Sequence, residues 1–279
     1  MYHRELKIVA GIFIWGMSLR SILGLSIALL FGFTSACVKV DVTVTSSSSG
    51  RLDQWPALPH KPPISIDELK ELQALRPGKC LLTGSLPIKK GAQHTDAWCW
   101  AASSRTVMEF NNTLGTRPAA TPRQCDIVKT VYAPRLGETN CCEKEVSSDF
   151  IDAPLVCLRG GWPHWVLDTY QFDYEWVDGR FDDWDAVKTE LCHQHPFISV
   201  IAWNGGGKHT LVVHGYRESP TGVGLQRVVE IDDPNKDDDP EDLTFEEFVE
   251  GSFKRQGEFY EFSHDRTYVQ IAPLAKDQP

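Results

Sequence analysis

Cys99 closes the polar stretch Gln93-His94-Thr95-Asp96-Ala97-Trp98 and opens a run of helical character. Beyond it Ala102, Val107, Met108 and Phe110 recur as apolar positions, and Asn111-Asn112 with Gly115 supply a stop. The sulfur is therefore expected near a helix N-terminus, with Thr95 or Asp96 as the N-cap. Unpaired N–H groups and the helix dipole at such an end favour an anion, hence the thiolate, which is the nucleophilic form of cysteine. Gln93, upstream on the same stretch, carries an amide able to donate to a developing oxyanion, with the backbone N–H of the nucleophile as second donor. A solitary cysteine is more often a small buried hydrophobe. The case for chemistry therefore depends on what the rest of the chain can bring to Cys99.

A base and its orienting group are both available downstream. His209-Thr210-Leu211-Val212-Val213-His214-Gly215-Tyr216 is rich in β-branched and apolar residues and reads as a strand. Its two histidines stand an odd number of residues apart, so alternation sends them to opposite faces. His209 follows the glycine turn Asn204-Gly205-Gly206-Gly207, whereas His214 sits mid-strand among apolar neighbours. The turn reads as a loop that lets a substrate backbone approach closely, and the Walker pattern is absent. A second strand, Val228-Val229-Glu230-Ile231, ends in Asp232-Asp233-Pro234, and alternation turns only one of those carboxylates toward His209.

Gln93-x5-Cys99-Trp100 and His209-x5-Gly215-Tyr216, in that order, resemble the papain superfamily of cysteine proteases. The fuller string Gln93…Trp98-Cys99-Trp100-Ala101-Ala102-Ser103 is similar to a bacterial branch related to type III effector proteases and bacteriocin-processing-like peptidases. It departs from the plant and lysosomal signature Cys-Gly-Ser/Ala-Cys-Trp/Tyr, with Asp96 in place of the first Cys and Trp98 in place of the small residue. The resemblance covers about Leu86 to Ile271. It implies an α+β papain-like fold, with a helical half carrying Cys99, an antiparallel sheet half carrying His209 and Asp233, and a cleft between. It also implies peptide-bond hydrolysis through a thioester. Cys99 would attack the carbonyl, His209 would move the proton, Asp233 would orient the ring and Gln93 would hold the oxyanion. Asp233 is the match because it precedes Pro234, and Asp232 is the alternative. No metal and no organic cofactor is called for. Two rivals stand beside this reading. One is a cell-wall peptide amidase of the Cys-His class, whose third residue is more often His. The other is a catalytically inactive module that binds a peptide.

Eight cysteines are present. Cys125, Cys141, Cys142 and Cys157 cluster among residues that read as loop, which fits either a zinc site or two disulfides. Adjacent Cys141-Cys142 suits the paired spacing of zinc ligands poorly, and an exported chain meets oxidising conditions, so disulfides are expected. The bacterial branch carries a similar Gln-Cys…Cys-Cys…Cys pattern. With Cys37 assigned to lipid and Cys99 to chemistry, six cysteines are left for three bridges; Cys80 with Cys192 is the leftover pair if the other four bridge among themselves, and all fifteen pairings stay open.

Residues 1–37 read as an export signal. Arg20 precedes the apolar run Ile22 to Phe33, and Thr34-Ser35-Ala36 are small residues before Cys37. Met17 reads as the natural start. Ala36-Cys37 resembles a bacterial lipoprotein signal, departing from it at Thr34, and predicts a lipid anchor on Cys37. Plain signal cleavage with secretion is the alternative, while an uncleaved anchor from Ile8 to Phe33 would bury Arg20. The expected location is thus outside the bacterial cytoplasm, on a membrane or secreted. Residues 38–79 read as a Ser/Thr- and Pro-rich tether followed by a short helix with the capping box Ser65-Ile66-Asp67-Glu68, and residues 80–279 as the peptidase domain. A net charge of −10 without a basic cluster argues against a nucleic-acid partner, leaving a protein or peptide substrate and a monomer as the expectation. The acidic run Asp237 to Glu241 has calcium-like composition but lacks EF-hand placement of Gly and Glu, and reads as a solvated loop.

Overall fold

The computed structural model describes residues 61–75, 80–81, 83–114, 120–137, 140–142, 155–235, 242–255 and 258–274. The export signal with Cys37, most of the tether and the acidic run 237–241 lie outside the described residues. The α+β class expected from the sequence is what the chain adopts: helices around an antiparallel sheet. No described helix is long and apolar enough to cross a membrane.

The sheet is built from β2 (Phe172–Asp178), β3 (Phe197–Trp203), β4 (Lys208–Thr221), β5 (Gly224–Asp232), β6 (Asp242–Thr244) and β8 (Glu258–Pro273), in the spatial order β2-β8-β3-β4-β5-β6. Short β1 (Thr83–Ser85) pairs with β4, and β7 (Ser252–Arg255) pairs with β8. β3 and β8 occupy the interior of the sheet, which accounts for the continuous apolar run Phe197-Ile198-Ser199-Val200-Ile201, buried throughout. Tight connections lace β3, β4 and β5 together. Gly206 and Gly207 take φ of +93° and +90° in the β3–β4 turn, a conformation that side chains with a Cβ disfavour. The glycine run is thus a requirement of the hairpin that delivers His209 to its strand end.

Two groups of helices pack on this frame. α2 (Cys99–Thr113), α3 (Gln124–Leu136) and α4 (Pro163–Thr169) contact one another, and α2 meets the sheet at β4. Their shared core is aromatic: Trp100 lies 5.8 Å from Tyr132 and 6.4 Å from Trp165, centroid to centroid. Gly161 lets the Trp100 ring pass, since a Cβ there would fall 2.5 Å from Cε2 of that ring. Elsewhere α1 (Ile66–Ala74) packs on α5 (Trp184–Cys192), and α6 (Phe245–Glu250) packs near β5 and β6. Leu69 of α1 is fully buried in the cluster formed by Val187, Leu191, Phe197 and Val213. The capping box read at Ser65–Glu68 is made, a second forms at Thr244–Glu247, and Asp183 caps α5 through the Ala186 N–H. Ahead of α1 the chain lies along β2, with Ile64 N–H donating to the Trp176 carbonyl at 2.9 Å and Trp176 Nε1 donating to the Lys61 carbonyl at 2.6 Å.

Three disulfides are formed: Cys80–Cys192, Cys125–Cys142 and Cys141–Cys157. Such bonds persist in oxidising compartments. The loop-like reading of the cysteine-rich region is corrected by α3, which starts at Gln124 and includes Cys125. Ile127, Val128, Val131 and Tyr132 form its buried face at helical spacing, and the helix runs through Pro134.

Candidate active site

α2 begins at Cys99 itself. Its N-cap is Trp98, with φ −106° and ψ 17° and no side-chain capping bond, so neither Thr95 nor Asp96 fills the expected role. Thr95 instead holds the preceding turn: its carbonyl accepts from the Trp98 N–H at 3.1 Å and its hydroxyl from the Ala97 N–H at 3.4 Å. Trp98 is fully buried and donates through Nε1 to the carbonyl of Cys157, a residue of the Cys141 disulfide. The bulky residue before the cysteine thereby anchors the helix start from below. Cys99 is buried and is the free cysteine among the described residues.

His209 stands at the second position of β4 and Asp233 immediately follows β5. His209 Nε2 donates to Asp233 Oδ1 at 2.6 Å, and the Cys99 thiol is near enough to the ring to favour its protonated form. With Nε2 committed to the carboxylate, Nδ1 is the nitrogen left for the sulfur. Asp233 Oδ1 accepts a second bond from the Asn235 N–H at 2.8 Å, which fixes the carboxylate in the turn through Pro234. Asp232 is buried on the other side: its Oδ2 accepts from Thr106 of α2 at 3.4 Å. Alternation along β5 thus divides the two aspartates between His209 and the helix.

Burial disfavours a charged imidazole at 209. The hydrogen bond to Asp233, then the influence of Cys99, outweighs it and raises the His209 pKa from 6.5 to about 10. The ring therefore holds its proton at neutral pH. Trp203, on the neighbouring strand β3, lies nearly parallel to it, with centroids 6.2 Å apart and planes at 24°. Phe262 meets Trp203 edge-on at 5.8 Å, so an aromatic wall flanks the histidine.

Gln93 lies in the irregular stretch before α2 and is half-buried. Its N–H donates to the Pro234 carbonyl at 2.8 Å, one residue beyond Asp233. Its side-chain Oε1 is buried and accepts no hydrogen bond. Two residues of α2 complete the frame. Ser103 Oγ donates to the Thr210 carbonyl at 3.0 Å, and Thr106 Oγ1 to Asp232. Cys99, Ser103 and Thr106 follow one another at helical i, i+4, i+7 spacing, so a single helix face bears the sulfur and both ties to the strands of His209 and Asp233.

Cys99, His209, Asp233 and Gln93 are thus drawn to one place. His214 is not among them: it is buried mid-strand, its Nδ1 has no partner, and burial lowers its pKa. Among the described residues, the one cluster of metal-type ligands comprises Cys125, Asp126 and Cys142, and two of its three atoms are joined in a disulfide. The sequence reading assigned no role at the site to Trp203, Ser103, Thr106 or Gln124. Ser103 and Thr106 had a detectable signal, their helical spacing from Cys99. Gln124 had one in the Gln-Cys pattern of the bacterial-branch resemblance, and Trp203, on a distant strand, had none.

No family model and no curated protein matches the chain. Solved structures to which it is similar include the digestive procathepsin L 3 of Tenebrio molitor larval midgut, at 10% identity over 56% of this chain and 60% of that one, with a TM-score of 0.36. Xylellain, a cysteine protease from Xylella fastidiosa, is similar at 11% identity over 74% of this chain and 89% of its own, with a TM-score of 0.40. A structure concerning the mite allergens Blo t 1 and Der p 1 is similar at 10% identity over 70% and 72%, with a TM-score of 0.38.

Proposed function

We propose that this chain is an exported cysteine peptidase that cleaves peptide bonds through Cys99, His209 and Asp233. The observation that carries the reading is one imidazole hydrogen-bonded to the Asp233 carboxylate and electrostatically coupled to the one free thiol among the described residues. That arrangement is what a thiolate–imidazolium nucleophile requires. The spacings that resemble the papain superfamily support the same assignment.

In the first half-reaction the Cys99 sulfur adds to the scissile carbonyl carbon. The oxygen, now negative, is held by the Cys99 N–H and Gln93 Nε2. The C–N bond then breaks, His209 gives its proton to the departing amine, and a thioester remains. In the second, water attacks the thioester and gives its proton to His209. The C–S bond breaks, the acid leaves and the thiolate–imidazolium pair is restored. Asp233 holds the ring throughout without exchanging a proton. The three disulfides favour the oxidising location, and the lipid on Cys37 with the bacterial-branch assignment belongs to the same reading.

The test is peptide-library cleavage read by mass, with iodoacetamide labelling in parallel. The wild type is expected to release two fragments and to label at Cys99 faster than a free thiol. Cys99→Ala should do neither. Labelling no faster than a free thiol, with no cleavage, would favour an inactive binding module instead.

A further inference from the structure

The stretch before α2 belongs to neither helix nor sheet, so its backbone groups need partners from elsewhere. Around Gln93 those partners are specific. The side chain of Gln124 reaches across and straddles that residue. Its Nε2 donates to the Ala92 carbonyl at 2.7 Å, and its Oε1 accepts from the His94 N–H at 3.0 Å. Gln124 is 3% exposed. A side-chain amide can supply a donor and an acceptor to two main-chain groups at once.

Gln124 is itself held firmly. It is the first residue of α3, and the next residue, Cys125, is fully buried and bonded to Cys142. With the Gln93 N–H tied to Pro234, three consecutive residues have their main chain fixed: residue 92 through its carbonyl, residues 93 and 94 through their N–H groups. The side chain that leaves this clamped segment is the proposed oxyanion donor.

We infer that Gln124 is a positioning residue that sets the Gln93 amide where the oxyanion forms. The inference rests on the peptidase reading above. It makes a distinction that simple support of the fold would not. Alkylation of Cys99 by iodoacetamide forms no oxyanion, whereas peptide hydrolysis and binding of a peptide aldehyde both do. Gln124→Leu keeps the size of the side chain and removes both hydrogen bonds.

Gln93→Ala is expected to lower kcat by roughly a hundredfold or more, the usual effect of losing one oxyanion donor. Gln124→Leu is expected to lower kcat at least tenfold and to weaken aldehyde binding in parallel, with the alkylation rate unchanged. The double variant should be no slower than Gln93→Ala alone, because the clamp acts only through that amide. Gln124→Glu, which keeps the acceptor for His94 while losing the donor to Ala92, should lower kcat too and guards against misfolding of the Leu variant. A kcat unchanged by both Gln124 variants, an additive loss in the double variant, or an alkylation rate falling with kcat would overturn the clamp alone. A wild type that alkylates but cleaves no peptide would overturn the peptidase reading and the clamp together.

Discussion

The hydroxyl of Ser103 donates to the carbonyl of Thr210 across 3.0 Å of buried interface. Ser103 lies one turn after Cys99 and Thr210 one residue after His209, so this bond sets the height of the sulfur against the ring. Ser103→Ala removes it at little steric cost. The expected result is a loss of about 0.5–1.5 kcal/mol in stability, the net worth of one hydrogen bond. kcat should fall by roughly ten- to a hundredfold, because misplacing a reacting group is costly. Denaturant unfolding and steady-state kinetics on the same preparation check both figures.

His209 and His214 separate chemistry from stability. His209→Ala should lower kcat by several powers of ten, as Cys99→Ala does, since members of one catalytic unit are not additive. His214→Ala should cost about 0.5–3 kcal/mol of stability and little kcat. Asp233→Asn should fall between, because it loosens the ring without removing the base. Turnover surviving in His209→Ala but not in a folded His214→Ala would reverse the assignment.

The pH dependence of His209 has a definite sign. Its folded pKa is raised to about 10, above the unfolded value near 6.5. The stability it contributes is full below about 6.5 and is lost as pH rises through about 10. The alkaline limb of kcat/KM is expected near 10, and Asp233→Asn should move it downward. An alkaline limb near 6.5 in the wild type would count against a ring held between Cys99 and Asp233. His214 has the opposite sign: burial lowers its pKa, so its contribution is present above about 6.5 and is lost as pH falls through its folded value.

The disulfides should differ in worth. Cys80–Cys192 spans 112 residues, against 17 for Cys125–Cys142 and 16 for Cys141–Cys157. Chain-entropy reasoning gives the long loop between 4 and 5 kcal/mol and each short loop about 3 kcal/mol. Paired Cys→Ser variants compared by unfolding midpoint should preserve that order. Non-reducing peptide mapping should return these three bridges and no zinc.

Much of the frame was readable in the chain. The strands read at His209–Tyr216 and Val228–Ile231 lie within β4 and β5, and the capping box at Ser65 opens a helix as expected. α3 was obscured because closely spaced cysteines and Pro134 mask a periodicity that Ile127, Val128, Val131 and Tyr132 nonetheless carry. At the site, residue types and spacings point to Cys99, Gln93, His209 and the Asp232-Asp233 pair. Spacing carries no information on how these meet. The bonds from Ser103 to Thr210, Gln93 to Pro234 and Gln124 to Ala92 and His94 join segments far apart in sequence. Nor does spacing give the start of α2, where a tryptophan occupies the cap and tertiary burial replaces local capping.

The Cys80–Cys192 bridge encloses Gln93 and Cys99, while His209 and Asp233 lie beyond it. A single backbone cut anywhere between residues 99 and 192 would therefore leave the sulfur-bearing and imidazole-bearing pieces on one covalent leash. Such nicked molecules would run as one band on an unreduced gel and as two after thiol treatment. Proteolytic wear in that region, including self-inflicted wear, would be tolerated as long as the surroundings remained oxidising. Entry into a reducing milieu would turn the same silent nick into dissociation.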